Sequence, residues 1–150
     1  MKQLFVKFIR STRGSSIVEL AMVAPVMLIL IVGSLDMGSM FVRKMEIANA
    51  AKAGVQYALV RKPVQGDVSH ITAAVKDSLG PSMTPSTSVN VELYCLCHGV
   101  KQICTDPCTD AKTSAFVNVT VSENFTTPFF NYSWFTSNFP ISESATIELN

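Results

Sequence analysis

A chain of 150 residues, 48% hydrophobic and only 15% charged, with a formal net charge of +1, has room for one modest domain and is greasy for a soluble one. Its near-balanced charge excludes a surface that tracks a phosphate backbone, so nucleic acid is not an expected partner. The apolar residues are unevenly placed, which makes their order along the chain more informative than their number.

Residues 1–14 carry Lys2, Lys7, Arg10 and Arg13 and no acid, and an apolar run follows. From Leu20 to Leu35 there is no charge, and the window Ile17 to Val42 holds only Glu19 and Asp36. About 20 mostly apolar residues cross the hydrocarbon core of a bilayer as a helix, so this window is long enough to span. Basic residues ahead of it favour an N-terminus on the cytoplasmic side. Arg43, Lys44, Lys52, Arg61 and Lys62 beyond the window blunt that asymmetry.

A cleavable secretory signal competes with a retained span, because Val32-Gly33-Ser34 has the small residues of a cut site. Retention is favoured by Glu19 at the front of the run and by apolar Met37, Met40, Phe41 and Val42 beyond it. Glu19 has two readings. A carboxylate at the centre of a membrane helix costs about 2.5–3.5 kcal/mol and calls for a partner, whereas in the headgroup region it is cheap.

Nothing breaks the helical pattern up to Val60, and the reading is one long helix from about Ser16 to Val60, roughly 65 Å at 1.5 Å per residue. Pro25 removes one backbone hydrogen bond and predicts a kink. Ser34 and Gly38, with Gly33 adjacent, form a small-residue pair at the spacing that lets membrane helices approach closely. Asp36, near the outer edge, faces either a hydrogen-bonding partner or water, and water is the preferred reading. Ile47, Ala51, Gly54 or Val55, and Ala58 make a narrow small-residue face for packing.

Pro63 ends the helix. A second helix is expected from an N-capping Asp67 to Leu79, with Val68, Ile71, Val75 and Leu79 on one face. Gly80 to Ser88 reads as a loop. Three strands follow by period-two alternation: Val89 to Cys95, Val117 to Val121, and Ala145 to Leu149. The expected fold class is α+β, a long N-terminal helix packed on a small antiparallel sheet. The segment from Phe125 to Phe139, with Phe129, Phe130, Tyr132, Trp134 and Phe135, is read as a loop over the sheet edge or as a contact surface for other subunits.

Cys95, Cys97, Cys104 and Cys108 fall within fourteen residues. An even count after a membrane span points to disulfides in an oxidising compartment. A zinc site is the alternative, although the C-x-C grip departs from the usual C-x2–4-C spacing. Cys95 and Cys97 on one strand stand roughly 6.6 Å apart, at the limit of disulfide reach. Bonds from these two to Cys104 and Cys108 are therefore expected rather than one between them; which goes to which is not fixed by the spacing, and the nested pairing Cys97–Cys104 with Cys95–Cys108 is the one adopted as the expectation. No nucleophile motif, phosphate loop or catalytic set emerges: His70 and His98 are isolated, His98 being only a weak metal candidate, and Asp106 and Asp110 read as turn residues. An enzyme, a resident metal and a cofactor are not expected.

The stretch from Arg13-Gly14 through Val18-Glu19, Ala21, Val23-Ala24-Pro25, Asp36 and Gly38 to Ala50-Ala51, Gly54 and Tyr57-Ala58 resembles the N-terminal region of the TadE-like proteins, pseudopilins of the tight-adherence (Flp) branch of type IV pilus systems. It departs from the family at Leu20, where phenylalanine is frequent after the glutamate, and at Met37, where an aromatic is common. The resemblance implies a prepilin peptidase cut between Gly14 and Ser15, leaving Glu19 fifth in the mature chain. The new amino group would then meet the glutamate of a neighbouring subunit. It implies a leader at 1–14, a transmembrane helix at 15–42, its continuation at 43–62, and a periplasmic or extracellular domain at 63–150. The implied setting is a bacterial inner membrane, with the peptidase, other pilin subunits, the assembly platform and lipid as partners. The competing reading is a single-pass or secreted disulfide-bonded binding module. Three glycosylation sequons, at Asn118, Asn124 and Asn131, speak for that alternative.

Overall fold

The computed structural model describes residues 15–63, 67–105, 114–130 and 139–149. Helix α1 runs unbroken from Ser15 to Val60, 46 residues, with Pro25 inside it. Its two halves meet different surroundings. From Ser16 to Leu35 the side chains are mostly apolar and mostly uncovered, and an 18-residue window here has a mean hydropathy of 2.4 with none of it buried. By length and composition this stretch is able to cross a membrane.

From Asp36 onward one stripe of α1 is buried: Asp36, Arg43, Ile47, Ala50, Ala51, Val55 and Ala58, with Met40 packed alongside. The spacing of three, four and seven is that of one helix face. Small side chains let the rest of the chain come close. Helix α2 (Ser69–Leu79) buries Ile71, Val75 and Leu79 against this stripe, the face expected from its periodicity. Its N-cap position is Val68, not Asp67. Asp67 instead accepts hydrogen bonds from the Ser69 amide at 3.3 Å and the Ser69 hydroxyl at 2.6 Å, bracing the turn from one residue further out.

Four antiparallel strands complete the fold: β1 (Ser88–Cys97), β2 (Val100–Gln102), β3 (Ser114–Phe125) and β4 (Phe139–Leu149), in the spatial order β2-β1-β3-β4. The α+β arrangement read from the sequence is the one observed, with one strand more. Side chains alternate between faces, so register decides which residues meet. Leu93, Val117 and Ile147 form one rank across the inner face, Val91, Val119 and Ala145 the next, and Val89, Val121 and Glu143 a third. Val117, Val119 and Val121 on the central strand are fully buried against the helices.

The additional strand arises from a two-residue hairpin. His98 (φ 52°) and Gly99 (φ 80°) both lie in the left-handed region, the signature of a type I′ turn, and the chain folds back to pair Cys97 with Val100 and Cys95 with Gln102. This hairpin also overturns the nested cysteine pairing. Cys95 is bonded to Cys104, with Cα atoms 4.9 Å apart. The fold-back returns the chain past Gln102 to Cys95, whereas Cys97 is carried out to the turn. Cys97 is likewise disulfide-bonded, no described cysteine is free, and Cys108 lies outside the described residues.

Removing the Cys95–Cys104 bond in a Cys97→Ser, Cys108→Ser background is expected to cost roughly 2–3 kcal/mol, from the entropy of a loop of this length. Denaturation of the chain in detergent with and without reductant measures it. Thiol alkylation of that background before any reduction would contradict the pairing.

Candidate functional site

The buried stripe of α1 changes character along its length. Its far end is apolar; its near end, where the uncovered half begins, is charged. Arg43 (9% exposed) meets Glu123 of β3 (5% exposed) through two hydrogen bonds, Nη2 to Oε2 at 2.6 Å and Nε to Oε1 at 3.2 Å. Its Nη1 donates to Glu46, one turn on along the same helix, at 2.7 Å. Thr87, just before β1, donates its hydroxyl to Glu123 Oε2 at 2.8 Å. Beside this cluster, Lys44 pairs with Glu143 of β4 at 3.1 Å in a more exposed setting.

The strand pattern places both carboxylates here. Glu123 is in phase with Val117, Val119 and Val121, and Glu143 with Ile141, Ala145 and Ile147, so each points to the helix rather than to water. Burial alone opposes ionisation of Glu123. The hydrogen bonds from Arg43 and Thr87, together with the Arg43 charge and Thr84, outweigh it and hold the carboxyl below its ordinary range. The same pair holds the Arg43 guanidinium above its own ordinary value, chiefly through its hydrogen bond with Glu123 and against the cost of burial.

Below the cluster, two turns nearer the apolar half, Asp36 is 3% exposed. Its two carboxylate oxygens accept from the backbone amides of Phe129 at 3.0 Å and Phe130 at 3.1 Å. The preference for water at Asp36 is thus corrected. The chain leaving β3 extends past the end of the sheet and lies on α1, which satisfies a carboxylate that would otherwise be buried unpaired. In the described part of the segment read as a loop over the sheet edge or as a contact surface, residues 129 and 130 are thus held against α1. Tyr132, Trp134 and Phe135 lie outside the described residues.

The remaining residues singled out from the sequence do not converge on this cluster. Gly14 lies outside the described residues, Ser15 is the first residue of α1, and Glu19 and Leu20 are exposed on its first turns. Pro25 and Ser34 are exposed and Gly33 is half-buried; a methyl group added at Gly33 or Gly38 would meet no atom within 4 Å. At 100° per residue, Ser34 and Gly38 fall on roughly the opposite side of α1 from Asp36, away from the chain's own domain. His98 stands exposed in the hairpin turn, its Nδ1 3.6 Å from Cys97 Sγ. Among the described residues no three His, Cys, Asp or Glu side chains gather as a metal would need.

Residues 14–56 match the family described as TadE-like protein. No curated protein and no solved structure matches the chain. The TadE-like stretch begins at the glycine before α1 and ends four residues short of the helix terminus. It takes in the uncovered half, Asp36, Arg43 and most of the buried stripe, and none of the sheet that supplies their partners.

Proposed function

We propose that the chain is a minor pseudopilin of a tight-adherence type IV pilus, a structural or assembly subunit rather than an enzyme. The carrying observation is a single helix built for two surroundings. One half is apolar and uncovered, and the other is sealed under the chain's own sheet. A TadE-like match that starts at Gly14, one residue before the helix, supports the same reading.

In this proposal the basic leader stays in the cytoplasm, the uncovered half spans the inner membrane, and the sheet domain sits on the periplasmic side. Disulfide bonding of Cys95 and Cys104 supports an oxidising compartment for that domain. Prepilin peptidase cuts after Gly14, where a residue without a Cβ lets the enzyme's backbone approach the scissile bond. Ser15 then carries a new amino group four residues from Glu19. Between neighbouring subunits, amine and carboxylate meet in an apolar setting, where such a pair sets register more than it adds stability. Ser34 and Gly38, on the side of α1 away from the chain's own domain, are the close-packing surface for those neighbours, with Gly33 beside them.

Gly14→Leu is expected to abolish processing, leaving the full-length chain on a blot. Glu19→Ala is expected to be cut normally yet to fail to enter assembled material. N-terminal sequencing of the mature protein is the deciding measurement. A native chain that begins elsewhere than Ser15, or whose size is unchanged in a strain lacking the peptidase, would overturn the reading in favour of a membrane-anchored binding module.

A further inference from the structure

The contact between Asp36 and the loop after β3 fixes that loop at a definite height on α1. From Ile17 to Asp36 is 19 residues, about 28 Å along a helix, which is close to the thickness of a bilayer's hydrocarbon core. Counted from Ile17, Asp36 therefore lies near the outer boundary of the apolar span, with uncovered Met37, Phe41 and Val42 in the next two turns, and the backbone of Phe129 and Phe130 is held at that height by two hydrogen bonds. Phe129 is 63% exposed and Phe130 45% exposed, although most of the large apolar side chains of the sheet and α2 are covered.

The helix surface just below continues the same apolar character. Ile29, seven residues back and so on the same face as Asp36, is uncovered. Two exposed phenylalanines, their backbone held next to an uncovered apolar helix surface near the depth where hydrocarbon gives way to headgroups, fit one environment better than water. Building on the membrane-spanning reading given above, we propose that the Phe129–Phe130 loop is a lipid-contacting foot. It inserts its rings into the outer edge of the leaflet on the domain side and seats the sheet domain on the membrane surface.

Tryptophan and tyrosine concentrate at this depth in membrane proteins, and phenylalanine is among the residues that interfacial segments bury just beneath it. Asp36 acts as the positioning residue. It is tolerated at the boundary because the loop's amides satisfy it, and the loop is held at the boundary because Asp36 binds it. Each accounts for the other.

The test uses the full chain in phosphatidylcholine vesicles, with Trp134→Phe to remove the native tryptophan. Phe129→Trp in that background is expected to emit to the blue of its emission in denaturant. Spin labels near the acyl carbonyls should quench it severalfold more strongly than labels at the chain ends. Leu28→Trp, in the middle of the span, should show the reverse depth preference. Adding Asp36→Ala should shift the Phe129→Trp emission to the red and weaken its quenching while leaving the Leu28→Trp probe unchanged.

Red emission insensitive to lipid labels from the Phe129→Trp probe would overturn the proposal, as would blue emission insensitive to them, which would mean the ring is covered by protein rather than lipid. In both cases a quenched Leu28→Trp probe would leave the membrane-spanning reading standing. An unquenched Leu28→Trp probe would remove both.

Discussion

Replacing Arg43 with methionine is expected to destabilise the sheet domain by about 3–5 kcal/mol, because it strands Glu123 as a buried carboxylate without its counter-charge. Thr87 supplies one hydrogen bond to Glu123, which is not enough to replace two from a guanidinium. The reverse change, Glu123→Leu, should cost less, since Arg43 keeps Glu46 as a partner at a more exposed site. Changing both is the decisive variant: two apolar side chains of similar volume should recover most of the lost stability. Urea denaturation in detergent micelles, followed by circular dichroism, reads all three. A double variant no better than Arg43→Met would mean that the ion pair is not what holds this end of the interface.

The same pair gives the domain an acid limit. The Glu123 carboxyl titrates lower in the folded chain than in the unfolded one, where it is near 4.3. Below that value the unfolded state takes up the proton first, so folding is penalised as pH falls. The contribution of Glu123 is whole above about pH 4.3 and is lost as pH drops through its folded value. The acid-unfolding midpoint should therefore move to lower pH in the double variant, which has no buried carboxylate at position 123 to protonate.

How much of this was legible in the sequence follows from the range of the interactions. The long helix, its stripe from Ile47 to Ala58, the face of α2 and the three long strands all follow from local periodicity, and the structure bears these out. β2 has three residues, too few to show a period, and its one local signal is the His98-Gly99 turn. The disulfide partner of Cys95 depends on that turn, which cysteine spacing alone does not reveal.

Asp36, Arg43 and Lys44 read locally as polar residues on a helix because their partners lie about 80–100 residues away. A usable signal did exist on the strands. Glu123 and Glu143 break an inward-facing apolar alternation, and a charge in that phase demands an opposite charge from whatever packs on the sheet. Two basic residues at the point where α1 meets the sheet are the available answer. The Asp36 contact had no such signal, since its donors are backbone amides that any sequence carries.

The second large effect concerns Gly54, where the close approach of three elements leaves no room for a side chain. A Cβ there would stand 2.5 Å from Val75 Cγ2 of α2 and 3.3 Å from Val119 Cγ1 of β3. Both valines are fully buried and stiff about χ1, so neither swings aside. Alanine is the better helix former by about 1 kcal/mol, yet overpacking of this kind costs about 1–3 kcal/mol. Gly54→Ala should therefore be neutral to destabilising, and Gly54→Val should lose about 3 kcal/mol, at the upper end of that range.

Val75→Ala should relieve part of the Gly54→Ala cost by opening the space the new methyl needs. Gly33→Ala and Gly38→Ala, where an added methyl would meet nothing beyond its own helix backbone, should leave the domain's denaturation midpoint unchanged. If those two glycines serve neighbouring helices as proposed, the same substitutions should lower recovery of the subunit in assembled material. Glycines on one helix would then divide by partner, with Gly54 fitted to its own sheet and the other two to another chain. A fall in domain stability for Gly33→Ala comparable to that for Gly54→Val would erase the distinction.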